Sequence, residues 1–181
     1  MATPEQLTIS PPHPPTERAI AAFEQVEAQI KHEITKSRHD WDKHEPKMWS
    51  HASQTSDHNL VNFTIKDDLV TIRSAETSYG PMLFGKIRIR AIKLDSAGEL
   101  VAGEPQVDSH GHITVETKHG KIDDDQYGFI FVRIHDPPGE GTENVKFHSL
   151  FTDEGKDEEG HNNGFYRAIQ TNSKPLEFFN E

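Results

Sequence analysis

The chain has 181 residues, 33% of them hydrophobic and 27% charged, with 30 acidic against 19 basic side chains and a formal charge of −11. No apolar run approaches the ~18–20 residues that a transmembrane helix needs, and an acidic excess argues against nucleic acid, whose binding draws on Lys and Arg. The absence of cysteine excludes a disulfide framework, a thiolate metal site and a cysteine nucleophile.

Counted with glycine and without tyrosine, the apolar share is about 38%, against ~45–50% in ordinary domains. One modest core diluted by polar ends and loops fits that value: a lead-in over 1–15 and a single domain over 16–181. The 12 histidines gain protons as the pH falls through their ordinary range near ~6.5 and cancel much of the acidic excess, which is why the calculated isoelectric point is near 5.5. Turbidity measured from pH 7 to pH 5 is expected to peak near pH 5.5, and a flat profile would contradict this reading. The amino-terminal residues lack the charged and apolar regions of a secretory signal, so the expected location is cytoplasmic.

Pro4, Pro11, Pro12, Pro14 and Pro15 make the first fifteen residues an extended or disordered lead-in. Ala19, Ile20, Phe23, Val26, Ile30 and Ile34 then recur at three- and four-residue spacing, which predicts one amphipathic helix over about 16–38. Thr16 suits its N-cap, and Lys36 and Arg38 suit its negative end. Residues 39–58, with His39, Trp41, His44, Trp49 and His51, follow neither the helical nor the strand period. A connector this long is either a lid or a linker.

From residue 59 the period becomes two. Val61, Phe63 and Ile65 predict a strand, Lys66-Asp67-Asp68 a hairpin turn, and Val70 and Ile72 the return. Leu83–Leu94 reads as a long strand with Ile87, Ile89 and Ala91 opposite Lys86, Arg88 and Arg90. Ile92 and Leu94 break that alternation, which predicts a bulge. Ser96-Ala97-Gly98 is a turn, and Leu100–Val107 and Ile113–Thr117 are further strands. Tyr127–His135 is apolar on both faces through Phe129-Ile130-Phe131-Val132, the pattern of a central strand, and Pro137-Pro138-Gly139 ends it. Val145, Phe147 and Phe151 mark the next strand and Phe165–Ile169 the last, before Pro175–Phe179 packs as a tail. The expected architecture is mainly β: a single antiparallel β-barrel, or a sandwich, with one N-terminal amphipathic helix.

Gly80 to Lys86 has the outline of a phosphate-binding loop, but Ile87 stands where Ser or Thr must follow the lysine, and a strand follows instead of a helix. The acidic runs Asp123-Asp124-Asp125 and Asp153 to Glu159 lack the alternating ligand spacing of a calcium loop. His110, His112 and Glu116 have the spacing H-x-H-x3-E, which resembles the first metal motif of the cupin family. That resemblance covers seven residues and implies a small β-barrel holding a divalent metal on these three side chains. His148 lies in a suitable strand for the second motif, although Thr152 stands where the family has Asn.

The central strand carries the leading expectation. Tyr127, Phe129, Phe131, Arg133 and His135 share one face, and an aromatic wall with a few polar groups has the composition of a ligand pocket. The function expected is a barrel that binds a small, partly apolar substrate and performs cofactor-independent acid–base chemistry such as isomerisation, cyclisation or dehydration. His135 is the expected proton carrier, Arg133 and Tyr127 orient or stabilise the substrate, and His148 assists from the next strand. A non-catalytic ligand- or protein-binding module is the alternative, and the cupin-like metal enzyme is the third reading. Edge strands and the helix stripe leave a homodimer open.

Overall fold

In a computed structural model of the chain, which describes residues 8–41, 48–94, 106–107, 113–114, 116–117, 120–121, 127–156, 159 and 162–180, the first amphipathic stretch forms two helices rather than one. These are α1 (Glu17–Gln25) and α2 (Glu27–Trp41). Thr16 caps α1 as expected, its hydroxyl accepting from the Ala19 N–H at 3.1 Å. Val26 leaves helical geometry at φ −109° and ψ 10°, its N–H turning to the Phe23 carbonyl at 3.2 Å. The break lets Ala19, Ala22 and Phe23 of α1, Val26 itself, and Ile30 and Ile34 of α2 all reach one core.

A short helix, α3 (Asp57–Leu60), an irregular stretch over 61–64 and a second short helix, α4 (Ile65–Asp68), stand where a strand and the hairpin turn at 66–68 were expected. The physical reason is capping. Ser56 accepts from the Asn59 N–H at 3.2 Å and Thr64 from the Asp67 N–H at 3.3 Å, each closing a single helical turn, the second of them at the end of the alternation of Val61, Phe63 and Ile65. Phe63 and Ile65 are still buried, but from an irregular stretch and a helix.

The strands follow as β1 (Leu69–Ala75), β2 (Met82–Lys93), β3 (Gln106–Val107), β4 (Ile113–Thr114), β5 (Glu116–Thr117), β6 (Gly120–Lys121), β7 (Tyr127–His135), β8 (Lys146–Leu150), β9 (Asp153–Lys156) and β10 (Asn162–Arg167). An antiparallel sheet has the order β1-β2-β7-β8, and β3-β4, β5-β6 and β9-β10 form separate pairs. The fold is thus mainly β with few helices. The described strands form no closed barrel, and the main sheet ends at β1 and β8. No helix among the described residues is long and apolar enough to cross a membrane.

The bulge expected near Ile92 is present: the β2–β7 register shifts between Ile89 and Lys93, and Ile92 and Leu94 join Ile87 and Ile89 in the same core. β7 is central, with Ile130, Val132 and Ile134 under the helices. Phe23 lies against Gly85 so closely that a Cβ there would sit 2.5 Å from the ring. Gly80, at φ 107°, turns β1 into β2 while its α-carbon approaches the Asp136 carbonyl.

The opposite face of the sheet carries a second core, in which Phe84, Tyr127, Phe129 and Phe131 are covered by Leu176 and Phe179 from the tail. The expected lead-in contributes here as well. Residues 8–15 run along β1, with Ser10 donating to Ser74 O at 2.8 Å and His13 exchanging backbone bonds with Ile72. Arg73 holds both termini together, donating to Ser10 O at 2.8 Å and Leu176 O at 2.7 Å.

Candidate functional site

α2 owes its placement to its last turns. Arg38 donates to Asp57 Oδ1 at 3.1 Å and to Ala52 O at 2.9 Å, and His39 Nε2 lies 2.7 Å from Asp57 Oδ2. Trp49 is buried and its indole N–H donates to Ser37 Oγ at 3.1 Å. Half of the expected connector is therefore helix or helical turn packed on α2, and residues 42–47 lie outside the described part. Trp41, at the end of α2, remains 44% exposed.

β8 runs beside α2 along the edge of the sheet. Its register against β7 shifts between Arg133 and Ile134, so that Phe147 faces Ile134, Ser149 faces Arg133 and His148 is the extra residue of the bulge. Between α2 and β8 lies a groove of about 500 Å³. Trp41, Met48, Phe147 and Leu150 give it apolar walls. Its polar groups come from Glu33, Lys36, Ser37 and Asp40 on α2, His148 and Ser149 on β8, and Thr152 and Asn180 beyond. Lys36 donates to Asp40 at 3.0 Å. That bond and the Asp40 charge, with a smaller contribution from Glu33, raise the ammonium above its ordinary pKa. With Glu33 and Asp40 against Lys36, the carboxylates outnumber the ammonium at the rim.

The four residues expected to form the site are divided by the structure. His148 lines the groove, its Nδ1 2.8 Å from Ser149 Oγ. His135, at the far end of β7, has its Nε2 3.0 Å from the Tyr79 carbonyl and faces Lys146, not His148, across the β7–β8 register. Tyr127 is buried in the second core with Phe129 and Phe131. Arg133 is 6% exposed and donates to Phe179 O at 2.9 Å, to Asn180 Oδ1 at 2.8 Å and to the Met82 sulfur. The aromatic face expected to line a cavity is filled by the tail. Asp136, next to His135, is taken by Arg18, whose Nε and Nη2 donate to its two oxygens at 3.0 and 2.6 Å.

His110 and His112 of the cupin-like spacing lie outside the described residues, as does the side chain of Glu116. Among the described residues no group of three or more His, Asp or Glu is placed to hold a metal. The sequence reading missed Glu33, Lys36, Asp40 and Asn180, because the polar face of an amphipathic helix and a tail amide carry no pattern of their own. Trp41 was the available signal: a large aromatic side chain at the polar end of a helix. Comparison with family models, curated proteins and solved structures gave no match to this chain.

Proposed function

We propose that this chain binds a small, partly apolar amine in the groove between α2 and β8. The observation that carries the reading is the groove itself. Its volume of about 500 Å³ falls within the ~300–1,000 Å³ of small-molecule sites, and apolar walls with a few polar groups are their usual composition. The amine follows from charge. Glu33 and Asp40 outnumber Lys36 at the rim, the whole chain carries −11, and an exposed indole attracts a cation to its face.

The expected acid–base chemistry moves with the ligand from the central strand to His148. An imidazole on the wall of a binding groove can serve as a general base, which suits isomerisation, cyclisation or dehydration of a bound substrate. A non-catalytic binding module would use the same groove, and replacing the histidine separates the two. For an enzyme, His148→Gln keeps affinity within about threefold and loses turnover by ~100-fold or more. A binding module shows no turnover with either form.

Binding is read from Trp41. Titration with 2-phenylethylamine is expected to change the tryptophan emission of the native chain. Trp41→Phe removes that change, because Trp49 is buried against Ser37. Trp41→Ala weakens binding about tenfold, the scale of a cation–π contact and its apolar area together. An emission change of undiminished size in Trp41→Phe would overturn the reading.

A further inference from the structure

Arg133 sits where a guanidinium ordinarily has an acid beside it, and among the described residues it has none. Its acceptors are the Phe179 carbonyl, the Asn180 amide oxygen and the Met82 sulfur, all neutral. Its Nε is buried with no hydrogen-bond partner. Burial pulls its pKa below the ordinary arginine value. Burying a charge without an opposite charge is costly, and the fork of Nε and Nη hydrogens matches the two oxygens of a carboxylate.

The groups that meet Arg133 come from the tail. The Phe179 ring lies 5.4 Å from Phe84 and 5.2 Å from Phe151, and the same residue places its carbonyl on the guanidinium. Phe179 therefore presents an aromatic ring and an oxygen a short chain apart, the outline of an arylalkyl acid without its charge. Residues 175–180 have no regular secondary structure, and the arginines 73 and 133 hold the carbonyls of Leu176 and Phe179.

We propose that the aromatic face around Arg133 is a binding site for an arylalkyl carboxylate, and that residues 176–180 occupy it as a displaceable internal mimic of that ligand. The site is distinct from the groove, although Asn180 touches both. The carboxylate gives Arg133 an ionic, two-pronged acceptor that reaches the orphaned Nε, and the aryl group takes the position of the Phe179 ring. Because ligand and tail compete, the observed affinity is the intrinsic one reduced by the small fraction of molecules with the tail released. Loosening the tail must therefore tighten binding.

The test is calorimetric titration of the full chain with 3-phenylpropanoate and with its neutral analogue 3-phenylpropanamide. The carboxylate is expected to bind at least tenfold more tightly than the amide. Phe179→Ala is expected to bind the carboxylate at least fivefold more tightly than the native chain, and Arg133→Gln to lose the preference for carboxylate over amide. Equal binding of the two compounds, no binding of either, or no gain in Phe179→Ala overturns the proposal. Should Phe179→Ala fail to fold, amide hydrogen exchange of the native chain replaces it. Saturating 3-phenylpropanoate is expected to accelerate exchange across residues 176–180, and unchanged protection there overturns the proposal.

Discussion

Phe23→Ala is expected to lower the unfolding free energy by about 3–5 kcal/mol, the usual cost of removing a large aromatic side chain from a core that cannot collapse onto the gap. The ring is fully buried and is fitted against Gly85, so the sheet cannot move toward α1 to fill the void without moving its second strand. Ordinary domains are stable by only ~5–15 kcal/mol, which makes this a loss of about a fifth or more. Urea unfolding followed by circular dichroism measures it as a shift in midpoint at unchanged slope. A loss below about 1 kcal/mol would mean that α1 is not seated on the sheet as described. The consequence reaches the groove, since α1 leads through Val26 directly into α2, which forms one of its walls.

The second large effect is expected at Asp68, which is 1% exposed at the end of α4. Its carboxylate accepts from Arg88 Nε at 3.0 Å, from Arg90 Nε at 2.8 Å and from the Thr64 N–H at 3.0 Å. It thereby ties the α4 turn to the charged face of β2. Removing one partner of a buried ionic group leaves the other charges uncompensated, at ~3–5 kcal/mol. Arg88 and Arg90 keep some access to water, which puts Asp68→Ala at the lower end, about 3 kcal/mol. Asp68→Asn retains an acceptor oxygen and is expected to lose less. If alanine and asparagine cost the same, or if alanine costs under about 1 kcal/mol, the carboxylate does not hold this corner of the fold.

What the sequence made legible depended on how local each signal was. Thr16 and the spacing from Ala19 to Ile34 are local, and the helical stretch is where they put it. The parity change from Ile89 to Ile92 is local too, and it marks the register shift in β2. β7 was legible as central because both its faces are apolar, although nothing in Tyr127, Phe129 and Phe131 says whether a cavity or another segment of the chain meets them. That choice is made by Leu176 and Phe179, more than forty residues away. Thr64 and Ser56 misled for a related reason. The period-two run of Val61, Phe63 and Ile65 was visible, whereas the Thr64 hydroxyl that closes a helical turn read as an ordinary polar group of a strand, and Ser56 as part of the connector. The groove was the least legible feature of all. It exists only because the bulge at His148 and the polar face of α2 come together across more than a hundred residues, and neither side has a motif. The Arg133 surroundings were read correctly as aromatic with a cation but incorrectly as open.

The central claim is that the groove between α2 and β8 holds a small, partly apolar amine. It is tested most directly by mapping amide chemical-shift changes of the isotopically labelled chain on titration with 2-phenylethylamine. The largest changes are expected in Glu33, Lys36, Ser37, Asp40 and Trp41 on one side and in Phe147, His148, Ser149, Leu150 and Thr152 on the other, which line the groove. Changes concentrated in β7 and the tail, or none at saturating amine, would contradict it.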